Sequence, residues 1–197
     1  MSLFSMSLTF FLILDSVGHI ADFNHLIRRQ PRRRQGFILA REMLIALLLL
    51  VAFHYFGAPL ISSLGLTPAT IRIAGGIVLF LIAIKMIFPS ETRVFIDEAK
   101  GEPFIVPLAT PMIAGPSILA TVMFYASTDT RSNTVLMAIL IAWTASLLIL
   151  GFAWHFHDRL NQKALGAIER LMGLILTLLA VEIFLKGLKL FIWNQSI

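Results

Sequence analysis

One apolar stretch constrains this chain more than any other: residues 102–117, which read Glu-Pro-Phe-Ile-Val-Pro-Leu-Ala-Thr-Pro-Met-Ile-Ala-Gly-Pro-Ser. Its hydropathy opens a membrane span, yet Pro107, Pro111, Gly115 and Pro116 fall in the first half of that span. Each proline removes a backbone donor and drives its ring against the carbonyl four residues back, at about 3 kcal/mol inside a helix. Hydrocarbon offers the freed carbonyls no water, so a broken helix persists there only where protein or a wet cavity surrounds the break. Breaks of this kind point to binding sites in transporters. The plainer alternative is a proline-capped loop followed by an ordinary helix from Pro116.

The rest of the chain supplies the membrane. Of its 197 residues 58% are hydrophobic and 14% charged, and the mean hydropathy is +0.87. A soluble domain is about half apolar and a quarter charged, so the expected fold is an all-α, multi-pass membrane protein. There is room for about six spans of ~20 residues and for no sizeable soluble domain. The absence of cysteine excludes disulfides, thiol chemistry and Cys-ligated metal centres. A pI near 10.1 fits cytoplasmic loops rich in Lys and Arg and needs no nucleic-acid partner.

Read in order, the spans fall at about 3–23, 37–56, 69–88, 104–126, 134–156 and 167–192. The first has neither a basic leader nor a small-residue cleavage site, so it reads as a retained span. Arg28, Arg29, Arg32, Arg33 and Arg34 follow it and read as a topology anchor on anionic lipid. Arg41 and Glu42 fall in the first turn of the second span, at headgroup level where long side chains snorkel. The loops after the first, third and fifth spans carry the arginine cluster, Arg93 and Lys100, and Arg159 and Lys163, against Arg131 alone in the intervening loops. Both termini are therefore expected in the periplasm of a bacterial inner membrane.

A shift of 97 residues lays Gly18 on Gly115, Ile71 on Ile168, Gly76 on Gly173, Leu79 on Leu176, Leu81 on Leu178 and Ala83 on Ala180. Two halves of three spans each must be inverted relative to one another, a recurring transporter plan with its site at the repeat interface. The expected organisation is a first three-span repeat at 1–88, a cytoplasmic loop at 89–102 and a second repeat at 103–197, together one membrane domain with discontinuous first and fourth spans.

Polar residues inside the spans mark the site. Asp15, His19 and Asp22 stand at i, i+4 and i+7 on one helix face. An unpaired charge at bilayer depth costs at least ~2.5–3.5 kcal/mol and is functional by default. Asp15 can bind a substrate ammonium or a coupling cation, or cap a helix that restarts after a break. His19 can relay a proton with Asp15 or be a hydrogen-bonded histidine at the cytoplasmic end, and Asp15 with His19 can face one metal ion. Arg72 reads as an interfacial anchor, with a substrate carboxylate as its alternative ligand. Glu182 can serve as a coupling group, but Lys186 one turn on can neutralise it locally, and the structural reading is favoured. His54 and Tyr55 read as an outer-interface pair, and Trp143, Trp154 and Trp193 as belt residues. An intramembrane hydrolase is the rival class, with Ser117 as nucleophile and His19 as base, but no motif surrounds Ser117.

Three segments carry a family resemblance. Residues 72–88, Arg-Ile-Ala-Gly-Gly-Ile-Val-Leu-Phe-Leu-Ile-Ala-Ile-Lys-Met-Ile-Phe, resemble the third span of the MarC family of bacterial inner-membrane proteins. Residues 107–116, Pro-Leu-Ala-Thr-Pro-Met-Ile-Ala-Gly-Pro, resemble its Pro-Leu-Ala-x-Pro-x-x-Ala-Gly-Pro signature, and Glu169-Arg-Leu-Met-Gly-Leu its last span. The likeness covers nearly the whole chain and is closest to the YhgN-like branch. It implies six spans and, from family members assigned as transporters of small neutral amino acids, a transporter or exporter. The expected function is transport or export of such amino acids or similar small polar metabolites, coupled to an ion. The chain departs from the family's first-span pattern Asp-Pro-x-Gly-Asn-x-Pro. It keeps Asp15 and Gly18 but has Ser16, His19 and Ala21 at the other positions, which predicts a weaker break there.

The substrate-binding set expected from these readings is Asp15, Gly18, His19, Gly75, Gly76, Thr110, Pro111, Gly115, Pro116 and Ser117. No catalytic residue, metal or cofactor is expected. The partners are a small-molecule substrate and the lipid bilayer, with a homo-oligomer compatible and no nucleic acid.

Overall fold

The computed structural model describes residues 2–20, 31–88, 114–128, 132–155 and 162–195. They form six helices: α1 (Leu3–Leu14), α2 (Arg32–Ser63), α3 (Pro68–Ile87), α4 (Pro116–Thr128), α5 (Ser132–His155) and α6 (Gln162–Gln195). Among the described residues there is no strand. Helices α2, α3, α5 and α6 are each long and apolar enough to cross a bilayer, whereas α1 and α4 are apolar but shorter. The protein is thus an all-helical, multi-pass membrane protein. Its exposed Phe, Leu and Ile side chains, such as Phe4, Phe37, Leu48, Phe152 and Leu178, suit a lipid solvent rather than water.

Local chemistry sets several helix ends. Ser2 caps α1 by accepting from the Ser5 amide at 3.2 Å. Thr67 caps α3 by accepting from Thr70 at 3.2 Å, and Pro68 takes the first helical position, where its missing donor costs nothing. Gly65, at φ +64, turns the chain between α2 and α3. Helix α2 exceeds the span expected from sequence at both ends. It is 32 residues long, from Arg32 through Pro59 to Ser63.

That longer helix corrects the placement of Arg41 and Glu42. Glu42 is fully buried and accepts from Arg41 Nε at 2.8 Å and Nη2 at 2.7 Å. It is a core carboxylate with its own cation, not a headgroup contact. The tryptophans are corrected too. Trp143 donates to the Met43 carbonyl at 2.8 Å and Trp154 to Gln35 Oε1 at 3.2 Å, so both clamp α5 to α2. Trp193 alone of the three is exposed. His54 is buried, with only its ring neighbour Tyr55 facing outward.

The seams run mainly between the first three helices and the last three. Helix α3 lies along α6 in the most extensive contact; α1 packs on α5, α2 on α4 and α5, and α4 on α3 and α1. Close approach of α3 and α6 depends on small residues. A Cβ added to Gly76 would stand 3.1 Å from the Ala180 carbonyl oxygen, and one added to Gly173 would stand 3.1 Å from that of Ala83. Such small-residue faces let membrane helices pack backbone to backbone.

Candidate functional site

Helix α1 stops deep in the protein. Its C-cap, Asp15, takes φ 44 and ψ 42, a left-handed conformation rare outside glycine but open to aspartate. The residue is 3% exposed. Its Oδ1 accepts from the Gly18 amide at 3.2 Å, the geometry of a side chain capping the next turn. The His19 amide then bonds back to the Asp15 carbonyl at 3.1 Å. Asp15 therefore ends one helix and caps the turn that follows. The first span breaks at Asp15 without either proline of the family pattern. A left-handed aspartate with a side-chain cap suffices.

Capping uses half of the carboxylate. Asp15 Oδ2 and the neighbouring Ser16 Oγ are buried and have no hydrogen-bond partner among the described residues. Leaving such a group unsatisfied costs about 1–3 kcal/mol, and more when it is charged. Glu169, near the start of α6, lies within electrostatic reach of the same carboxylate. Gly18 packs so closely that a Cβ there would run into the Asp15 carboxylate and the Met86 methyl of α3.

Helix α4 begins at Pro116, with Ala114, Gly115 and Ser117 buried around that start. Gly75 of α3 faces it: a Cβ at Gly75 would lie 3.1 Å from Ala120 Cβ and 3.9 Å from the Ser117 carbonyl. The expected site residues therefore separate into groups. Asp15, Gly18 and His19 form one turn, and Gly75 meets Ser117 across the α3–α4 seam. Gly76 points the other way, into α6, where it serves packing. Thr110 and Pro111 lie outside the described residues, as do Asp22, the 89–102 loop and the first half of the expected fourth span. Among the described residues no group of three or more His, Asp or Glu side chains is placed to hold a metal ion.

Sequence reasoning placed Arg72 at the interface, and the structure turns it inward. Its guanidinium carbon lies 3.6 Å from the centre of the Phe124 ring, and the Tyr125 side chain is within hydrogen-bonding reach. A small cavity of about 20 Å³ opens there, lined by Thr9 of α1, Arg72 and Gly75 of α3, Thr121 and Tyr125 of α4 and Ile183 of α6, among others. Phe10 meets Tyr125 edge to face at 5.6 Å and fixes α1 against this wall. The signal available in the sequence was an arginine at i−3 from Gly75, on the helix that carries the family-like glycine pair.

Glu182 and Lys186 pair at 2.7 Å on the exposed side of α6, as their spacing predicts.

Comparison with known proteins agrees with this architecture. The model of the MarC family integral membrane proteins matches residues 1–192. A UPF0056 membrane protein of Buchnera aphidicola subsp. Schizaphis graminum is 39% identical over 191 residues, covering 96% of this chain and 97% of the relative. The UPF0056 inner membrane protein YhgN of Escherichia coli K12 is 40% identical over 188 residues, covering 94% and 95%. No solved structure matches the chain. By the extent of the family match and the identity to these full-length relatives, the chain belongs to the MarC family of integral membrane proteins.

Proposed function

We propose that this protein is a transporter or exporter of small neutral amino acids or similar small polar metabolites, coupled to an ion and working in a bacterial inner membrane. The observation that carries the reading is the buried end of α1. A carboxylate with one unpartnered oxygen sits at a helix break inside a mainly apolar bundle, where an intramembrane ionisable group is expected to act on an ion or a solute. The start of α4 at Pro116 supplies a second helix end, and free amide donors at such a start favour an anionic group.

In this reading α1 and α4 are parts of two discontinuous spans, and the chain crosses six times as two inverted repeats. The glycine contacts support that plan. Gly76 and Gly173 stand 97 residues apart, as do their partners Ala83 and Ala180, and each glycine meets the other half's alanine carbonyl. The seams of α1 with α5 and of α4 with α2 are likewise exchanged by swapping the halves. Both termini are periplasmic in this arrangement, by the distribution of Lys and Arg. Asp15 holds the coupling cation or the substrate ammonium.

The test is counterflow of a radiolabelled panel of small amino acids in proteoliposomes. Exchange of glycine or alanine that depends on the protein is expected. Product formation without flux would instead identify a hydrolase, and neither activity would end the transporter reading.

A further inference from the structure

Resting on the transporter reading, we propose that the cavity at Arg72 is where a small zwitterion is held, its carboxylate on the guanidinium and its ammonium on the Thr9 and Thr121 hydroxyl oxygens, which leaves Asp15 to the coupling cation. The first argument is the direction of Arg72. It is the fifth residue of α3, about 6 Å of rise from the helix start, and a pure anchor would snorkel outward from there. It is half-buried instead and lies over Phe124. Among the described residues it makes no ion pair. The one carboxylate named among the charges acting on it, Glu182, is exposed and already bonded to Lys186 at 2.7 Å.

A guanidinium carries five donors in a planar fork. The ring face of Phe124 uses none of them, and the single oxygen of Tyr125 leaves donors over, in the geometry that matches a carboxylate.

Two other lining residues, Thr9 and Thr121, have the complementary chemistry. Thr9 donates its hydroxyl hydrogen to the Ser5 carbonyl at 2.9 Å, and Thr121 donates to the Ser117 carbonyl at 2.7 Å. A hydroxyl has one donor and two lone pairs, so each threonine offers the cavity acceptors only. A simple anion would face those lone pairs, and a simple cation would face the arginine. A zwitterion satisfies both at once.

Size selects further. The cavity of about 20 Å³ holds little more than one water-sized group, and Gly75 is already close against Ala120. Any amino acid held there requires the α3–α4 seam to open, and the smallest require the least opening. Asp15 lies six residues beyond Thr9 on α1, about 9 Å along a helix. Asp15 is not among the residues that line the cavity, so a solute seated on Arg72 there meets the threonines rather than that carboxylate.

The experiment uses the purified full-length chain in detergent, with radiolabelled glycine, acetate and methylamine as probes. Glycine should bind, and acetate and methylamine should each bind at least about tenfold more weakly, as expected when one charge-assisted contact is lost. Arg72→Gln should weaken glycine binding by a similar factor, with Arg72→Lys in between. A second measurement needs no variant: glycine should protect Arg72, and not the exposed Arg170, from phenylglyoxal in peptide mass mapping. Undiminished glycine binding by a monodisperse Arg72→Gln, or equal labelling of Arg72 with and without glycine, overturns the assignment while leaving the transporter reading intact if flux persists. Binding of acetate with none of glycine overturns both the zwitterion assignment and the amino-acid reading.

Discussion

Gly76 lies against the backbone of Ala180, with only 3.1 Å between the position of a Cβ and the alanine carbonyl oxygen. The pair has a counterpart 97 residues away in Gly173 and Ala83, at the same 3.1 Å. Two glycines thus hold the longest seam of the protein together from opposite sides. The two contacts are related by the same spacing of 97 residues, as the proposed inverted-repeat plan requires.

Overfilling either contact should loosen the seam. Gly76→Val and Gly173→Val should each lower stability by about 1–3 kcal/mol, the usual cost of overpacking, and by similar amounts. Unfolding in detergent, followed by far-UV circular dichroism, measures this. A loss at one glycine and none at the other would mean that the two contacts are not equivalent.

The α2–α5 clamp should depend on the indole donors. Trp143→Phe removes the bond to the Met43 carbonyl and should cost about 0.5–1.5 kcal/mol. Trp193→Phe, on an exposed side chain, should change the same unfolding midpoint little. Equal effects would return Trp143 to the role of a belt residue.

Orientation can be read directly because the chain has no cysteine of its own. Single cysteines at Ser63 and Ser90 should differ in intact spheroplasts. An impermeant maleimide is expected to label position 63 and to spare position 90. The opposite pattern would place both termini in the cytoplasm.

Gly18→Ala tests the geometry of the break without changing a charge. The added methyl would run into the Asp15 carboxylate and the Met86 side chain, and one of them must move. Substrate flux in proteoliposomes should fall while the protein still inserts and elutes as the wild type does. Wild-type flux would mean that the position of the carboxylate is not critical.

Much of this arrangement was legible in the sequence because hydrocarbon leaves few options. Apolar runs of ~20 residues must be helices, and α3 and α5 fall within two residues of the expected spans. Asp15 was legible for the same reason: a carboxylate so far into an apolar run needs a purpose. What hydropathy could not supply is direction around a helix. Arg72, Trp143 and Trp154 each have an amphipathic side chain that suits an interface, and only packing shows that they turn inward. Glu42 was misplaced because α2 begins at Arg32, which puts Glu42 about 15 Å along the helix instead of in its first turn. The device that ends the first helix was not legible, because proline is only one way to end a helix. Asp15 does it with a left-handed backbone and its own carboxylate.

The most direct test of the transport reading is uptake driven by an ion gradient across proteoliposome membranes. Wild-type protein should accumulate radiolabelled alanine under an imposed proton or sodium gradient. Asp15→Asn keeps the size of the side chain and removes its charge, so accumulation should fall at least about tenfold, equivalent to ~1.4 kcal/mol. Near-normal accumulation by a correctly folded and inserted Asp15→Asn, or none by the wild type under either gradient, would contradict it.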